Sequence, residues 1–442
     1  MNERESKLIA ELRRRELASG AELAAALNMS QPTLSRALAA LPPSRLHRVG
    51  GGRSTRYAWR REVAGRTRWP LYRLDEAGEP HRVATLHPLT GAAWHVELEA
   101  PWPSMRSPLF PNMIFPDWPW FLDDLRPMGF LGRLFARTCA DLLQVPRDPR
   151  EWSAEQTVRA LSRFGSDLPG AWILGEDMLA SVRAPPSDDL PATLTSDLLL
   201  SRAEYVMEGR WPGSSAAGEQ PKYTLELKNK DGGHRSLLVK FSGDISNPVQ
   251  ARWADLLRAE HLANGILRAA GIAAAQTTLH ESGNRVFLLG ERFDRTPSRG
   301  RRALVSLHAL NAAFGEVNRN WAASAEDLHM QGWVDETGAG RMGVLWWFGQ
   351  LIGNTDMHDG NLSLFFPSEP PLQLAPVYDM TPMALAPRPD GTLPKRPPIP
   401  APPPPEQTLA YEQAKTLAKR FREQVLHEKA FSVSFRNAFL SE

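Results

Sequence analysis

Within Leu237-Leu238-Val239-Lys240-Phe241, a lysine sits inside five residues that otherwise read as a strand built for burial. An ammonium is costly to bury unless an acid comes to it, so this position restricts what the rest of the chain can do. Two readings are open at this point. Alternation turns Lys240 outward from an edge strand, or the fold delivers a carboxylate from elsewhere. The helix that follows, residues 252–270 by its pattern, carries Glu260 as the acid that chain order offers.

Other signals flank the lysine in a fixed order. Upstream, Gly213-Ser214-Ser215-Ala216-Ala217-Gly218-Glu219-Gln220-Pro221-Lys222 is a small-residue loop entering the strand-like Tyr223-Thr224-Leu225-Glu226-Leu227. Small residues let backbone N–H groups approach a phosphate closely, although most such loops are simple turns. Downstream, Val286-Phe287-Leu288-Leu289-Gly290-Glu291-Arg292-Phe293-Asp294-Arg295 is an apolar strand running into a polar turn. A two-lobed kinase offers backbone groups to adenine at such a place.

Asn354-Thr355-Asp356-Met357-His358-Asp359-Gly360-Asn361 then sets a carboxylate and an amide five residues apart in a loop. In that pattern Asp356 orients or deprotonates a substrate hydroxyl while Asn361 coordinates Mg2+. Asp379, in Leu374-Ala375-Pro376-Val377-Tyr378-Asp379-Met380, is expected to end a strand and to bind Mg2+ bridging the phosphates of ATP. Asp and Asn clusters commonly form turns. Two of them after a strand lysine exceed what turn chemistry requires.

The N-terminal 66 residues have a different character: thirteen Lys and Arg against six Glu and no Asp, in a chain whose net charge is +2. Helical spacing of Leu8, Ile9, Leu12 and Leu17, a second helix from Ala21 to Leu27, and a third from Gln31 to Leu41 capped by Ser30 read as a helix-turn-helix. Gln31, Thr33, Ser35 and Arg36 are candidates to face a DNA groove. Leu46–Val49 and Arg56–Arg60 flank a Gly/Arg turn as the strands of a wing, with Arg53 and Arg56 placed to reach phosphates. The same elements can serve as a dimerisation module, and a homodimer on DNA satisfies both readings.

At 442 residues the chain is expected to form two or three domains. The longest apolar stretch, Gly343 to Gly353, is about half the ~20 residues that cross a bilayer, so no membrane span is expected. The N-terminus lacks the apolar core of a signal peptide. Cys139 is the only cysteine, which excludes an intrachain disulfide and a multi-cysteine zinc site and fits a reducing, cytoplasmic compartment. The aromatic run Phe115 to Phe121 reads as packing, and 184–197 as a linker or exposed loop. Ala386–Glu406, with ten prolines, reads as a mobile or polyproline-II loop, a plain surface excursion rather than a partner-binding segment.

Taken in order, Ser-x-x-Gly-x-Gln-x-Lys, Leu-Val-Lys-Phe, Glu-Arg-Phe-Asp-Arg, Asn-Thr-Asp-x-His-x-x-Asn and Tyr-Asp resemble the HipA-like kinases, bacterial toxin Ser/Thr kinases, over about residues 80–435. Phe164-Gly165-Ser166-Asp167-Leu168-Pro169-Gly170-Ala171 also matches that family's N-terminal lobe. The resemblance, closest to the stand-alone YjjJ-like type, implies an α/β (α+β) two-lobed protein kinase fold behind a winged helix-turn-helix. Residues 1–66 would bind DNA, 67–295 form the N-terminal lobe and 296–442 the helical C-terminal lobe.

It further implies that Ser215, Ala217, Gly218, Lys240 and His358 contact ATP, that Glu291 and Phe293 supply the hinge, and that Asp356 is catalytic. Asn361 and Asp379 would hold Mg2+, and Ser215 would be autophosphorylated. The implied partners are an unidentified protein substrate and an antitoxin protein, the latter allowed without being required. An alternative is a DNA-binding regulator with a nucleotide-sensing or inactive kinase-like module. The chain departs from the family pattern at Ser306-Leu307-His308-Ala309-Leu310, at Asp359-Gly360 and at Pro221.

Overall fold

The structure, a computed structural model, describes residues 3–184, 190–210, 220–229, 233–314 and 320–440. Near the N-terminus, helix α1 (Glu3–Arg14) leads into strand β1 (Ala18–Ser19), and helices α2 (Gly20–Leu27) and α3 (Gln31–Ala40) follow. Ser19 and Glu22 form a reciprocal cap on α2, and Asn28 closes that helix in the left-handed region at φ 50°. Ser30 accepts from the Thr33 N–H to start α3. Strands β2 (Leu46–Val49) and β3 (Arg56–Trp59) complete an antiparallel sheet in the order β1-β3-β2. Leu8, Leu12, Leu23, Leu34, Leu38, Leu46 and Trp59 form its core. Leu17 is not part of the first helix as its spacing suggested: pairing of Ala18 with Tyr57 draws the chain into a strand, and Leu17 packs on Ala58, Leu89 and Ala93.

Strands β4 (Trp69–Leu74), β5 (Pro80–Pro88), β6 (Trp94–Leu98) and β7 (Ile114–Phe115) precede helices α4 (Gly129–Leu143) and α5 (Ala154–Phe164), then strand β8 (Trp172–Leu174) and helix α6 (Glu176–Arg183). The antiparallel sheet runs β7-β6-β5-β4-β8. Phe115, Trp118, Trp120 and Phe121 are buried, so the aromatic run is packing as expected.

Helix α7 (Ser196–Met207) leads to β9 (Lys222–Lys228), β10 (His234–Phe241), helix α8 (Pro248–Ala269), β11 (Thr277–Ser282) and β12 (Arg285–Glu291), whose sheet order is β11-β12-β10-β9. Strand β13 (Leu304–Ser306), helices α9 (Leu307–Phe314), α10 (Trp321–Met330) and α11 (Glu336–Ile352), strands β14 (Ser363–Phe365) and β15 (Gln373–Leu374), and helices α12 (Thr408–His427) and α13 (Val433–Asn437) complete the chain. One hydrophobic core runs from the β4–β8 sheet into α9–α12, while a second joins β9, β10 and β12 to α4 and α7. Among the described residues no helix is long and apolar enough to cross a membrane.

The N-terminal module is fastened to the next sheet rather than tethered to it. Backbone bonds run from Arg61 N to Pro88 O at 3.0 Å and from Thr90 N to Trp59 O at 2.9 Å, and Arg61 pairs with Glu155 at 2.8 Å. Beside them His47 of β2 meets His87 and His95 of β5 and β6. Their nitrogens lie within 4.8 Å of one another, a spacing that invites a metal. Arg60 argues against one, because its Nη2 donates to His47 Nδ1 at 2.7 Å. That fixes the proton of the neutral ring on Nε2, which faces His95 Nδ1 at 2.8 Å. The rings of His47 and His87 stack 4.2 Å apart, so their in-plane lone pairs do not converge. His87 Nε2 is bonded to Glu97 at 2.8 Å. The trio is a neutral hydrogen-bonded latch between β2 and the β5–β6 pair.

Burial, reinforced by the neighbouring histidines and by Arg60 and Arg68, pushes His47 and His87 down from 6.5 to about 2. Burial also lowers His95 to about 4, against the opposing pull of Glu97. Above pH 6.5 the latch is neutral whether docked or free. As pH falls below that value the freed histidines bind protons and the docked ones do not, so docking weakens by up to about 1.4 kcal/mol per histidine per pH unit. Thermal unfolding between about pH 7.5 and about pH 5 should therefore show a falling midpoint, with a shallower fall in His47→Gln. Identical slopes for both proteins would show that His47 does not titrate on undocking.

Candidate functional site

Lys240 lies on the central strand β10, opposite Leu288 of β12 and Lys222 of β9. It does not turn outward: 6% of its surface is exposed. Its Nζ sits 2.7 Å from both carboxylate oxygens of Glu260 on α8, and it also contacts Asp379 Oδ1. Glu260 in turn accepts from the Asp379 N–H at 3.3 Å and from Thr381 Oγ1 at 3.4 Å. Burial opposes the charge on Lys240, but Asp379 and Glu260 outweigh it and hold the ammonium above its ordinary pKa. Burial likewise opposes ionisation of Asp379, yet Lys240 and Lys222 keep it below the usual carboxylate range. For Glu260 burial prevails and raises it. Two buried lysines thus face one buried acid, Glu260, and one half-buried acid, Asp379.

The second half of the site begins where α11 ends. Gly353, at φ 84°, caps that helix, and a Cβ there would stand 2.5 Å from Pro397 Cβ. Asn354, 3% exposed, donates from Nδ2 to the Asp379 carbonyl at 3.1 Å and accepts from the Asp356 N–H at 3.0 Å. Asn361 donates to the Asp356 carbonyl at 2.8 Å. Asp356 and Asn361 therefore share one loop, tied through Asn354 to Asp379. The Asp356 carboxylate is 57% exposed, with His358 Nε2 at 3.9 Å, while His358 Nδ1 accepts from the Gly360 N–H at 3.1 Å.

Asp379 does not end a strand, contrary to the sequence expectation. Strand β15 is only Gln373–Leu374, and Asp379 adopts φ 57°. The chain reaches it through one parallel bridge between Val377 and Ala274 and through Tyr378, whose hydroxyl donates to the Gly360 carbonyl at 3.1 Å. The left-handed conformation is the local cost of placing a carboxylate against Lys240.

The polar turn after β12 is braced by a buried ion network. Arg292 pairs with Asp167 at 2.5 Å and with Asp294 at 3.0 Å, and Arg295 pairs with the same acids at 2.8 and 2.7 Å. Asp294 also accepts from the Gly170 N–H at 2.9 Å. This welds the turn to the 164–171 segment. Phe293 stacks on Tyr378 at 5.9 Å, next to Asp379. The Glu291 N–H is spent on the Gln276 carbonyl at 2.8 Å, and its carboxylate pairs with Arg235 at 2.9 Å. Ser215, Ala217 and Gly218 lie outside the described residues. On α3, Gln31, Ser35 and Arg36 are exposed and Thr33 is half-buried, while Arg53 and Arg56 are exposed at the β2–β3 turn and on β3.

Comparison with known proteins gives two family matches: the YjjJ-like toxin middle domain over residues 65–183 and the HipA-like C-terminal domain over residues 214–434. Toxin YjjJ of Escherichia coli (strain K12) is 38% identical over 384 residues, 85% of this chain and 82% of that protein. The chain belongs to the YjjJ-like, HipA-like toxin family. A solved HipA of Shewanella oneidensis MR-1, in complex with HipB and its operator DNA, matches with a TM-score of 0.50 over 84% of this chain and 92% of its own, at 16% identity. That likeness shows a shared fold.

Among the described residues Lys240, Asp379 and the Asp356–Asn361 loop are thus linked in one cluster, together with residues to which motif reading assigned no role. Lys222, 2% exposed, ends the small-residue loop beside Lys240. Its place directly before an apolar strand was a usable signal. Asn354 and Thr381 look like ordinary turn residues, and only the fold reveals their partners. At the departing position Asp359, the side chain accepts from Asn311 Nδ2 at 2.8 Å and so braces the loop onto α9.

Replacing Lys240 by Met strands Glu260 beside Asp379 in the interior, and breaking one side of a buried pair costs about 3–5 kcal/mol. Adding Glu260→Gln should recover part of that loss. Urea unfolding of the two single variants and the double would measure it. Strictly additive losses would mean that the two side chains are not coupled.

Proposed function

We propose that this HipA-like toxin transfers the γ-phosphate of ATP to a Ser or Thr hydroxyl of a cellular protein. The observation that carries this reading is the convergence of Lys240, Glu260 and Asp379 on a loop presenting Asp356 and Asn361. The donor set suits a hard divalent cation such as Mg2+: a carboxylate from Asp379 and an amide oxygen from Asn361. When bound, that ion supplies neutralisation of phosphate charge. Lys240, held charged by its acids, provides a fixed cation for phosphate oxygens, and Lys222 reinforces the positive field behind it. Asp356, whose carboxylate is exposed, orients the incoming hydroxyl and accepts its proton. His358 flanks the phosphates, and the turn containing Glu291 and Phe293 faces adenine. In this reading residues 67–295 and 296–442 act as the two lobes.

Residues 1–66 act as a winged helix-turn-helix on DNA, with α3 entering the groove and Arg53 and Arg56 on phosphates. Exposure of Gln31, Ser35 and Arg36 while the module is docked supports this reading. A homodimer on DNA and an antitoxin partner are compatible with it. The HipA of Shewanella oneidensis was solved with HipB and operator DNA.

Incubation with γ-labelled ATP and Mg2+ should label the wild-type chain at Ser215, and Asp356→Ala should lose at least about 10²-fold in rate. Peptide mass spectrometry locates the phosphate. Equal labelling of both proteins would remove Asp356 from the chemistry, and no turnover by the wild type would favour a nucleotide-sensing regulator. Neutralising Arg53 and Arg56 should weaken binding to all duplexes and flatten its salt dependence. An unchanged salt slope in a DNA titration would take those residues off the phosphates.

A further inference from the structure

Arg252 lies on α8 two turns before Glu260, roughly 12 Å along the helix. It is 2% exposed, yet among the described residues no carboxylate forms a salt bridge with its guanidinium. Its Nη1 donates to two backbone carbonyls, Leu385 and Pro394, each at 3.0 Å. Nη2 reaches Ser434 Oγ at 3.5 Å, and the cation sits over the Phe435 ring at 5.5 Å. One turn further along α8, Asp255 accepts from Ser432 N at 3.0 Å and from Ser432 Oγ at 2.6 Å. The N-terminal half of the helix that carries Glu260 is thus pinned to the chain following Asp379 and to the C-terminal segment.

The carbonyl at Pro394 belongs to the proline-rich stretch, and the burial pattern of that stretch is informative. Pro397, Pro400 and Pro403 are half-buried, while the two residues after each of them are exposed, Ile399 at 96%. A repeat of three is the period of a polyproline-II helix, which presents one face in three to whatever it lies on. Pro397, on the covered face, lies against Gly353, where any side chain would collide with it. Ala384 N also donates to the Gly353 carbonyl at 2.9 Å. Only two residues, Lys395 and Arg396, therefore lie between the attachment to α8 at Pro394 and the attachment to α11 at Pro397. The stretch is a stiff strap joining the helix that bears Glu260 to the turn from which Asn354 and Asp356 depart.

We propose that Arg252 is a positioning residue for phosphotransfer, clamping this strap so that Glu260 and the Asp356 loop keep one fixed arrangement. The inference rests on the kinase reading for its kinetic consequence, and on the clamp geometry alone for its structural one. Lysine cannot reproduce the whole clamp, because its ammonium lacks the second nitrogen that reaches Ser434 and the planar face that lies over Phe435. A strap loosened at its other end, by Pro397→Gly, should have the same effect without disturbing the interior.

The test combines kinetics and hydrogen exchange on the full chain. In Arg252→Lys and Pro397→Gly, kcat for phosphate transfer from ATP should fall by on the order of tenfold to a hundredfold while KM for ATP stays within about twofold. Exchange of the Ala384 amide should quicken in both. A purely structural role would lower the unfolding midpoint and leave kcat per folded molecule unchanged. Folded variants that keep both wild-type kcat and Ala384 protection would overturn the proposal. Should the wild type transfer no phosphate, the kinase reading fails, and Ala384 exchange in the two variants still decides whether the clamp exists.

Discussion

A charged lysine buried on a central strand has to be matched, and here the match comes from two places, 20 and 139 residues further along the chain. Glu260 arrives on the packed face of α8, and Asp379 arrives from a loop 139 residues beyond Lys240. Glu260 would not tolerate its buried position alone, since an isolated buried charge is far more costly than a buried pair, and half-buried Asp379 shares the same lysine. Satisfying Lys240 therefore fixes where α8 lies on the sheet and where the chain before Met380 must pass. Once Asp379 is placed, Asn354 is placed by its bond to the Asp379 carbonyl, and through Asn354 and Asn361 so is Asp356.

Buried ion pairs of this kind add little net stability compared with well-packed apolar groups, but they tolerate few alternative arrangements. The chain uses the device twice. The Arg292–Asp294–Arg295–Asp167 network locks the turn after β12 to the 164–171 segment, which belongs to the first β-sheet domain by its packing. Phe293, held between these charges, stacks on Tyr378 and so carries that rigidity to the residue beside Asp379. The hydrophobic cores supply the bulk of the stability, and the ion networks supply the register between them.

Elements whose signals are local were legible in the sequence. Ser30 with Pro32 marks the start of α3, an apolar run marks β10, and five-residue spacing marks Asp356 and Asn361 as one loop. Chain order offered Glu260, but Asp255 lies on the same helix and only the fold selects between them. What could not be read is what depends on distant partners. The left-handed Asp379 follows a strand of two residues and a single bridge, neither of which alters local composition. His47 finds its partners 40 and 48 residues later, and nothing in three scattered histidines distinguishes a latch from surface residues. Arg252 looks like any helical arginine because its acceptors are backbone carbonyls 133 and 142 residues on, and carbonyls leave no trace in a sequence.

In the proposed reading the matched charges around Lys240 form a seat for a metal-bound nucleotide. Calorimetric titration with a non-hydrolysable ATP analogue addresses it without relying on any substrate. Wild type should bind one equivalent in the presence of Mg2+ and much less tightly without it. Asp379→Asn should lose most of the Mg2+-dependent gain, and Lys240→Met should bind weakly under both conditions. Equal affinity of all three proteins for the analogue, or an affinity indifferent to Mg2+ in the wild type, would contradict the account.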